Sequence, residues 1–210
     1  MGISGLLREV SGLADRKVHI STFAGKRAVV DASTWLYRGC YSCAREVARG
    51  MPTEKFLRFV MHRVRMLKYH QVDVTMVFDG KVLPLKNYTS KQRHGSKKEA
   101  LGKAKKLEAQ ASKCREASEK RRLWAEAEKF YKQAYSPKFQ HAARVMKELR
   151  QEKVKFIVAP YEADAQLVYM YVCTCIDLSC VRVSVLLIPA RIAHAAAVLN
   201  IHSTVQCVLY

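Results

Sequence analysis

Three short runs rich in Val, Ile and Phe recur along the chain, and each ends at or just ahead of an acidic residue. Arg27-Ala-Val-Val-Asp31 is followed by Ser33-Thr34-Trp35-Leu36, where a hydroxyl can cap a helix, so the pattern predicts strand and then helix. Between Pro52 and Leu67 the residues Phe56, Phe59, Val60, Val64 and Leu67 fall at helical spacing. Asp73-Val-Thr-Met-Val-Phe-Asp79-Gly80 then reads as a second buried strand closing on another acid. Ser136-Pro137 predicts a further helix start with Pro at the first helical position, and that helix carries Phe139, Ala143, Met146 and Leu149. Lys155-Phe-Ile-Val-Ala159 is the third strand. Strands alternating with helices predict an α/β fold on a parallel sheet.

Two segments break this rhythm. Residues 86 to about 133 are dense in Lys, Arg, Glu and Ala and hold few large apolar residues before Leu123-Trp124, which predicts helix too polar to belong to a core. From Cys173 onward the chain turns apolar, carries only Asp177, Arg182 and Arg191 as charges, and has no helical or strand period. Arg182, Pro189 and Arg191 interrupt that run well short of the roughly 20 residues a bilayer span needs, so no membrane partner is expected.

Charge sharpens the picture. The 210 residues carry a net charge of +19, distributed as +6 over residues 1–80, +14 over 81–155 and −1 over 156–210. A basic excess concentrated in the polar middle points to an acidic polymer as partner, nucleic acid being the commonest. The seven cysteines, at 40, 43, 114, 173, 175, 180 and 207, are odd in number, scattered and preceded by no secretory signal, which predicts a reducing compartment. Cys40-x-x-Cys43 has no second pair at zinc-finger spacing and reads as buried thiols. Leu6 stands where a myristoylation motif needs Ser or Thr, so Gly2 is not read as a lipid site. There is no Gly-x-Ser-x-Gly elbow for acyl transfer and no Gly-rich phosphate loop.

In open α/β sheets ligands bind outside the carboxyl ends of the strands. Asp31, Asp79 and the pair Glu162 and Asp164 all fall there. Each acid alone is explained by helix capping or by the helix dipole. All four recurring at one topological place point instead to a carboxylate nest, which needs a hard divalent cation such as Mg²⁺ or Mn²⁺ to offset repulsion among its oxygens. In a chain of this charge, metal and phosphodiester meeting at one edge is the arrangement of a nuclease.

The same residues carry a family resemblance. Met1-Gly-Ile-Ser-Gly-Leu-Leu7, Val30-Asp31-Ala32, Trp35-Leu-Tyr-Arg-Gly39, Met61-His-Arg-Val64, Val77-Phe-Asp-Gly80 with Leu83-Pro84, and Val158-Ala-Pro-Tyr-Glu-Ala-Asp-Ala-Gln166 together resemble the N-terminal nuclease region of the flap endonuclease superfamily. Trp35–Gly39 and Cys43-Ala-Arg-Glu46 are closer to exonuclease 1. The resemblance covers residues 1–172, the family's N-terminal region and the start of its internal one. It implies a PIN-like parallel sheet with a basic helical arch over about 86–133, incomplete on its C-terminal side. It also implies a 5′ nuclease with two Mg²⁺ or Mn²⁺ ions per complete site, acting on duplex DNA with a 5′ end, nick, gap or flap, in the nucleus, in mismatch repair and recombination. Asp31, Asp79, Glu162 and Asp164 match the metal-site acids, and Lys86 and Arg93 match the cations that steer the scissile phosphate. Gly2, Tyr37, Lys91, Lys97 and Lys98 are the implied DNA contacts.

The chain also departs from the pattern. Tyr37 replaces a His, and an aromatic ring can still stack on a base. Gln92, His94, Gly95 and Ser96 thin out an Arg-rich run. The Thr-Glu-Asp-Ser-Asp-Leu motif with its two further metal-binding aspartates is absent, and Asp177 is solitary in residues 173–210. That tail is expected to come from outside the family's reading frame, and the region through which the family docks mismatch-repair proteins is missing. The alternative to a working nuclease is an impaired isoform or binding module that holds DNA without cutting, and after it a fragment that fails to fold.

Overall fold

The computed structural model describes residues 19–82, 87–173 and 178–180, with side chains for 19–82 and 92–170. After a 3₁₀ turn at Ile20–Phe23 the chain runs β1 (Arg27–Asp31), α1 (Ala32–Tyr41), α2 (Ala44–Arg49), α3 (Lys55–Tyr69) and β2 (Asp73–Phe78). It continues with α4 (Asn87–Lys113), α5 (Ala117–Ala134), α6 (Phe139–Gln151), β3 (Lys155–Val158), α7 (Ala163–Cys173) and β4 (Leu178–Cys180). The described residues divide into two compact units, one holding 19–35, 61–81, 145–173 and 178–180, the other 36–60, 82 and 87–144.

The first unit holds the sheet. Its order is β3-β2-β1-β4 and every pair is parallel, as alternating strands and helices predict. Arg27 stands opposite Asp73 and Asp31 opposite Val77, so the carboxyl ends of β1 and β2 are level. Val29 and Val30 in β1 and Met76 and Val77 in β2 are at most 1% exposed, the continuous apolar run of strands covered on both faces. Helix α7 covers one face, where Ala163, Leu167 and Met170 pack with Val29, Val77 and Ala159. β3, by contrast, exposes Ile157 and Val158.

Two boundaries differ from the sequence reading. Helix α6 begins at Phe139, two residues beyond Pro137, because the His141 ring accepts the Lys138 N–H at 2.9 Å and satisfies the donor just before the helix. The apolar tail, read as having no strand period, contributes β4, which pairs with β1 from Ala28↔Leu178 to Val30↔Cys180. Three residues are too few to display a period, and main-chain pairing needs none.

The second unit is built on a helical hairpin. Helices α4 and α5 fill the segment read as polar helix, but they are not coreless. Ala104 and Ala127 are fully buried with Tyr131, flanked by Leu101, Leu107 and Phe130. Alanines at the contact let the two backbones approach, so a seam forms without the large apolar residues a core is usually sought by. One carboxylate fastens it: Glu108 accepts hydrogen bonds from Arg45, from Arg49 and from the Tyr131 hydroxyl. Arg45 also lies over the Trp124 ring, 4.7 Å from its centre. Burial works to raise the Glu108 carboxyl, but the Tyr131 hydroxyl and the guanidiniums outweigh it and hold it below the usual carboxylate range. Glu108→Ala strands the hydroxyl of Tyr131, itself 1% exposed. The expected cost is about 2 kcal/mol, read by calorimetry as a melting temperature lower by roughly 4–8 °C.

Candidate metal and nucleic-acid site

The acids singled out in the sequence lie at the carboxyl edge of the sheet. Asp31 closes β1 and is 7% exposed, the one buried charged side chain among the described residues. It caps the helix it precedes: Oδ1 accepts the N–H of Ser33 at 2.8 Å and of Thr34 at 3.2 Å, and Oδ2 accepts the Thr34 hydroxyl. Asp79 follows β2 and faces solvent, and its Oδ1 accepts the Ala163 N–H at 2.8 Å. It therefore caps α7, a helix 84 residues further along, and its own N–H donates to the Ser33 hydroxyl at 3.4 Å. That places Asp164, in the first turn of α7, on the same edge, while Glu162 sits half-buried in the turn just before it.

Asp31 and Asp79 thus both act as helix caps. Each of Asp31 and Asp79 has an oxygen fixed by main-chain donors, which aims the carboxylate without neutralising it. The Asp31 carboxyl is pushed up from the ordinary 3.8 chiefly by burial; the Thr34 bonds oppose that, and the charges of Asp79 and Asp164 add to it. The charges of Asp79 and Asp164 therefore bear on Asp31. Among the described residues, however, no group of three or more His, Cys, Asp or Glu side chains stands ready to hold an ion. The donor set is all oxygen, suited to Mg²⁺ or Mn²⁺, but it is not drawn into a closed ligand cage.

Asp31 gives a pH prediction for the metal-free chain. Its folded-state pKa lies above its unfolded value, so between the two the folded state holds the extra proton and stability falls as pH rises through that window. Asp31→Asn keeps an oxygen for the Ser33 and Thr34 N–H groups and carries no charge. In EDTA buffer its melting temperature should match wild type below pH 3.8 and exceed it above the raised value.

A glycine sets the spacing of this edge. Gly80 donates its N–H to Tyr161 O at 2.6 Å, Lys81 donates to Pro160 O at 3.1 Å, and Ala159 donates to Phe78 O at 2.9 Å. A Cβ on Gly80 would lie 1.8 Å from Ala159 O. In the sequence Gly80 only closes the second strand, and nothing in the spacing announces that it is needed for close approach. Ser33 was likewise passed over as a partner of Asp79.

In the other unit, the structure brings together two expected DNA contacts, Tyr37 and Lys97. The Lys97 Nζ lies 5.9 Å from the Tyr37 ring centre and donates to the Ser136 hydroxyl at 3.1 Å. Tyr37 is 43% exposed, and its carbonyl accepts the Tyr135 hydroxyl at 3.1 Å. Arg93 and Lys98 are exposed on α4, and Lys91 lies in that helix. Gly2 and Lys86 lie outside the described residues. Cys40 and Cys43 are buried and free, and burial pushes the Cys40 thiol up to about 12, the state of an inert core thiol. No described helix is long and apolar enough to cross a membrane.

Residues 1–100 match the XPG N-terminal domain family. The chain is 36% identical over 179 residues to exonuclease 1 of Arabidopsis thaliana, covering 84% of this chain and 22% of that protein. It is 37% identical over 170 residues to exonuclease 1 of Xenopus laevis, covering 81% and 22%. With exodeoxyribonuclease 1 of Schizosaccharomyces pombe it shares 34% over 170 residues, covering 81% and 28%. The chain therefore spans between a fifth and a third of the length of these relatives. Among solved structures, the catalytic core of Rad2 in complex with DNA substrate superposes with a TM-score of 0.55 at 20% identity, covering 85% of this chain and 43% of that one. Human GEN1 in complex with Holliday junction DNA gives 0.51 at 16%, covering 85% and 36%.

Proposed function

We propose, from the premise that the chain belongs to the flap endonuclease and exonuclease 1 superfamily, that it is a divalent-metal-dependent 5′ nuclease acting in the nucleus on duplex DNA with a free 5′ end, nick, gap or flap. One observation carries the reading: Asp31, Asp79 and Asp164, far apart in sequence, share one edge of a parallel sheet, with Asp79 capping the helix that bears Asp164. Such an edge in a chain of charge +19 favours a phosphodiester brought in with its own counter-ion.

Asp31, Asp79, Glu162 and Asp164 are the residues that would hold Mg²⁺ or Mn²⁺, two ions where the full set of acids is present. A bound ion there supplies polarisation of the phosphodiester and of the attacking water. The chain's own part is positional. Main-chain donors at Ser33, Thr34 and Ala163 fix the angle of the two strand-end aspartates. Lys86 and Arg93 orient the scissile phosphate, Lys91, Lys97 and Lys98 grip neighbouring phosphates, and Tyr37 offers a ring to a base, with Gly2 allowing the backbone to approach the DNA.

The open carboxylate arrangement favours a second reading, in which this chain binds DNA without cutting it. One assay separates the two. The purified chain is incubated with a 5′-recessed and a 5′-flapped duplex, with Mn²⁺, Mg²⁺ or EDTA. Metal-dependent release of 5′ nucleotides or flaps establishes the nuclease. Salt-sensitive binding with the duplex intact at every metal concentration replaces it with the binding module.

A further inference from the structure

The opposite edge of the sheet carries a feature that the nuclease reading leaves unused. Helices α3 and α6 end there in the same way. After α3 the Gln71 N–H donates to Lys68 O at 2.9 Å and the Val72 N–H to Leu67 O at 3.0 Å. After α6 the Lys153 N–H donates to Arg150 O at 3.1 Å and the Val154 N–H to Leu149 O at 2.8 Å. This paired closure places the residue just past the helix in the left-handed region, with φ of 59° at Gln71 and 55° at Lys153.

Glycine takes that position without strain, and the chain uses it after α2, where Gly50 at φ 71° closes the same pair of bonds. Gln71 and Lys153 are the only non-glycine residues with positive φ among the described residues. Both line one cavity of about 300 Å³, together with Lys68, Asp73 and Lys155. Strain kept at two neighbouring places, where glycine would relieve it, marks side chains that are retained for use.

A purely structural account covers part of this. Lys68 donates to the Glu152 carbonyl at 3.0 Å, as a cation at a helix C-terminus does, and Lys155 pairs with Asp73 at 3.1 Å. It does not cover Lys153, whose side chain makes no hydrogen bond or ion pair among the described residues. Three lysines and an amide against one aspartate leave the cavity basic. The two helix C-termini temper that charge, which suits a singly charged phosphodiester better than a multiply charged head group.

We propose that this cavity binds a backbone phosphate of the DNA, as a second anchor remote from the carboxylates; the inference rests on the nuclease reading above. β2, six residues long, spans about 20 Å, about six base-pair steps of a duplex. A duplex passing over this unit need span only that length to touch both edges.

The test measures binding of the full chain to a 20-base-pair duplex with a recessed 5′ end by fluorescence anisotropy across a salt series, alongside thermal melting. Lys153→Gly should raise the melting temperature by roughly 2–4 °C, because the strain is relieved. It should also weaken duplex binding several-fold and reduce the slope of log K against log salt by about 1. Lys153→Asn, which tolerates the left-handed region, should show the same loss of slope. A stabilised variant with wild-type slope and affinity would overturn the proposal and leave a structural turn. Loss of poly-glutamate binding with duplex binding unchanged would overturn it in favour of an acidic protein partner. A wild-type chain that binds no duplex at all would sink the nuclease reading itself, and the anchor with it.

Discussion

Asp79→Ala should abolish metal-dependent cleavage, a loss of about a thousandfold or roughly 4 kcal/mol of transition-state stabilisation. It should also loosen α7, since the Ala163 N–H then loses its carboxylate acceptor. The two effects separate with Asp79→Asn, whose amide oxygen still accepts that N–H but whose charge is gone. The alanine variant should therefore melt lower by the worth of a helix cap, about 1 kcal/mol, while the asparagine variant melts near wild type and is equally inactive. An asparagine variant that still cuts in Mn²⁺ would show that Asp79 serves the fold alone.

Gly80→Ala is expected to be the most damaging small change. The new methyl would sit 1.8 Å from Ala159 O and 2.9 Å from Pro160 O, both main-chain atoms that cannot rotate away. The turn carrying Glu162 must move, at an expected cost of about 3 kcal/mol and a melting temperature lower by roughly 6–12 °C. A displacement of about 1 Å there also costs about a hundredfold in rate. Gly95→Ala is the thermal control: a Cβ at Gly95, within α4, meets nothing inside 4 Å, so the chain should gain roughly 0.5–1 kcal/mol. Equal melting temperatures for the two variants would refute the close-approach argument.

Much of the sheet was legible in the sequence because buried parallel strands announce themselves as apolar runs. The runs 27–31, 73–79 and 155–159 emerge as β1, β2 and β3 to within one residue. The residue lost from the second is Asp79, which leaves the ladder and turns its carboxylate to α7, a three-dimensional event with no local signature. The placing of the acids on one edge followed from topology. Their incomplete convergence did not, since carboxylate spacing depends on how the β3–α7 turn packs against Gly80.

What stayed hidden has a common cause, which is that it depends on partners distant in sequence. Glu108 looks like any other acid in a charged helix until Arg45, Arg49 and Tyr131 are folded around it. The alanine seam between α4 and α5 is invisible to a search for large apolar residues. The helix ends at Gln71 and Lys153 were missed for the opposite reason: the customary glycine signal is not there.

The strand order has a consequence for biosynthesis. Among the described strands β1 emerges first, yet its two neighbours arrive at very different times: Arg27 pairs with Asp73, whereas Val30 pairs with Cys180, 150 residues downstream. At ribosomal speeds of about 5–20 residues per second, one side of that apolar ribbon waits roughly 7–30 s for its mate. During that interval its bare main-chain groups offer a template to any passing strand, so a nascent chain of this kind should depend on chaperones that shield it until the last partner is made.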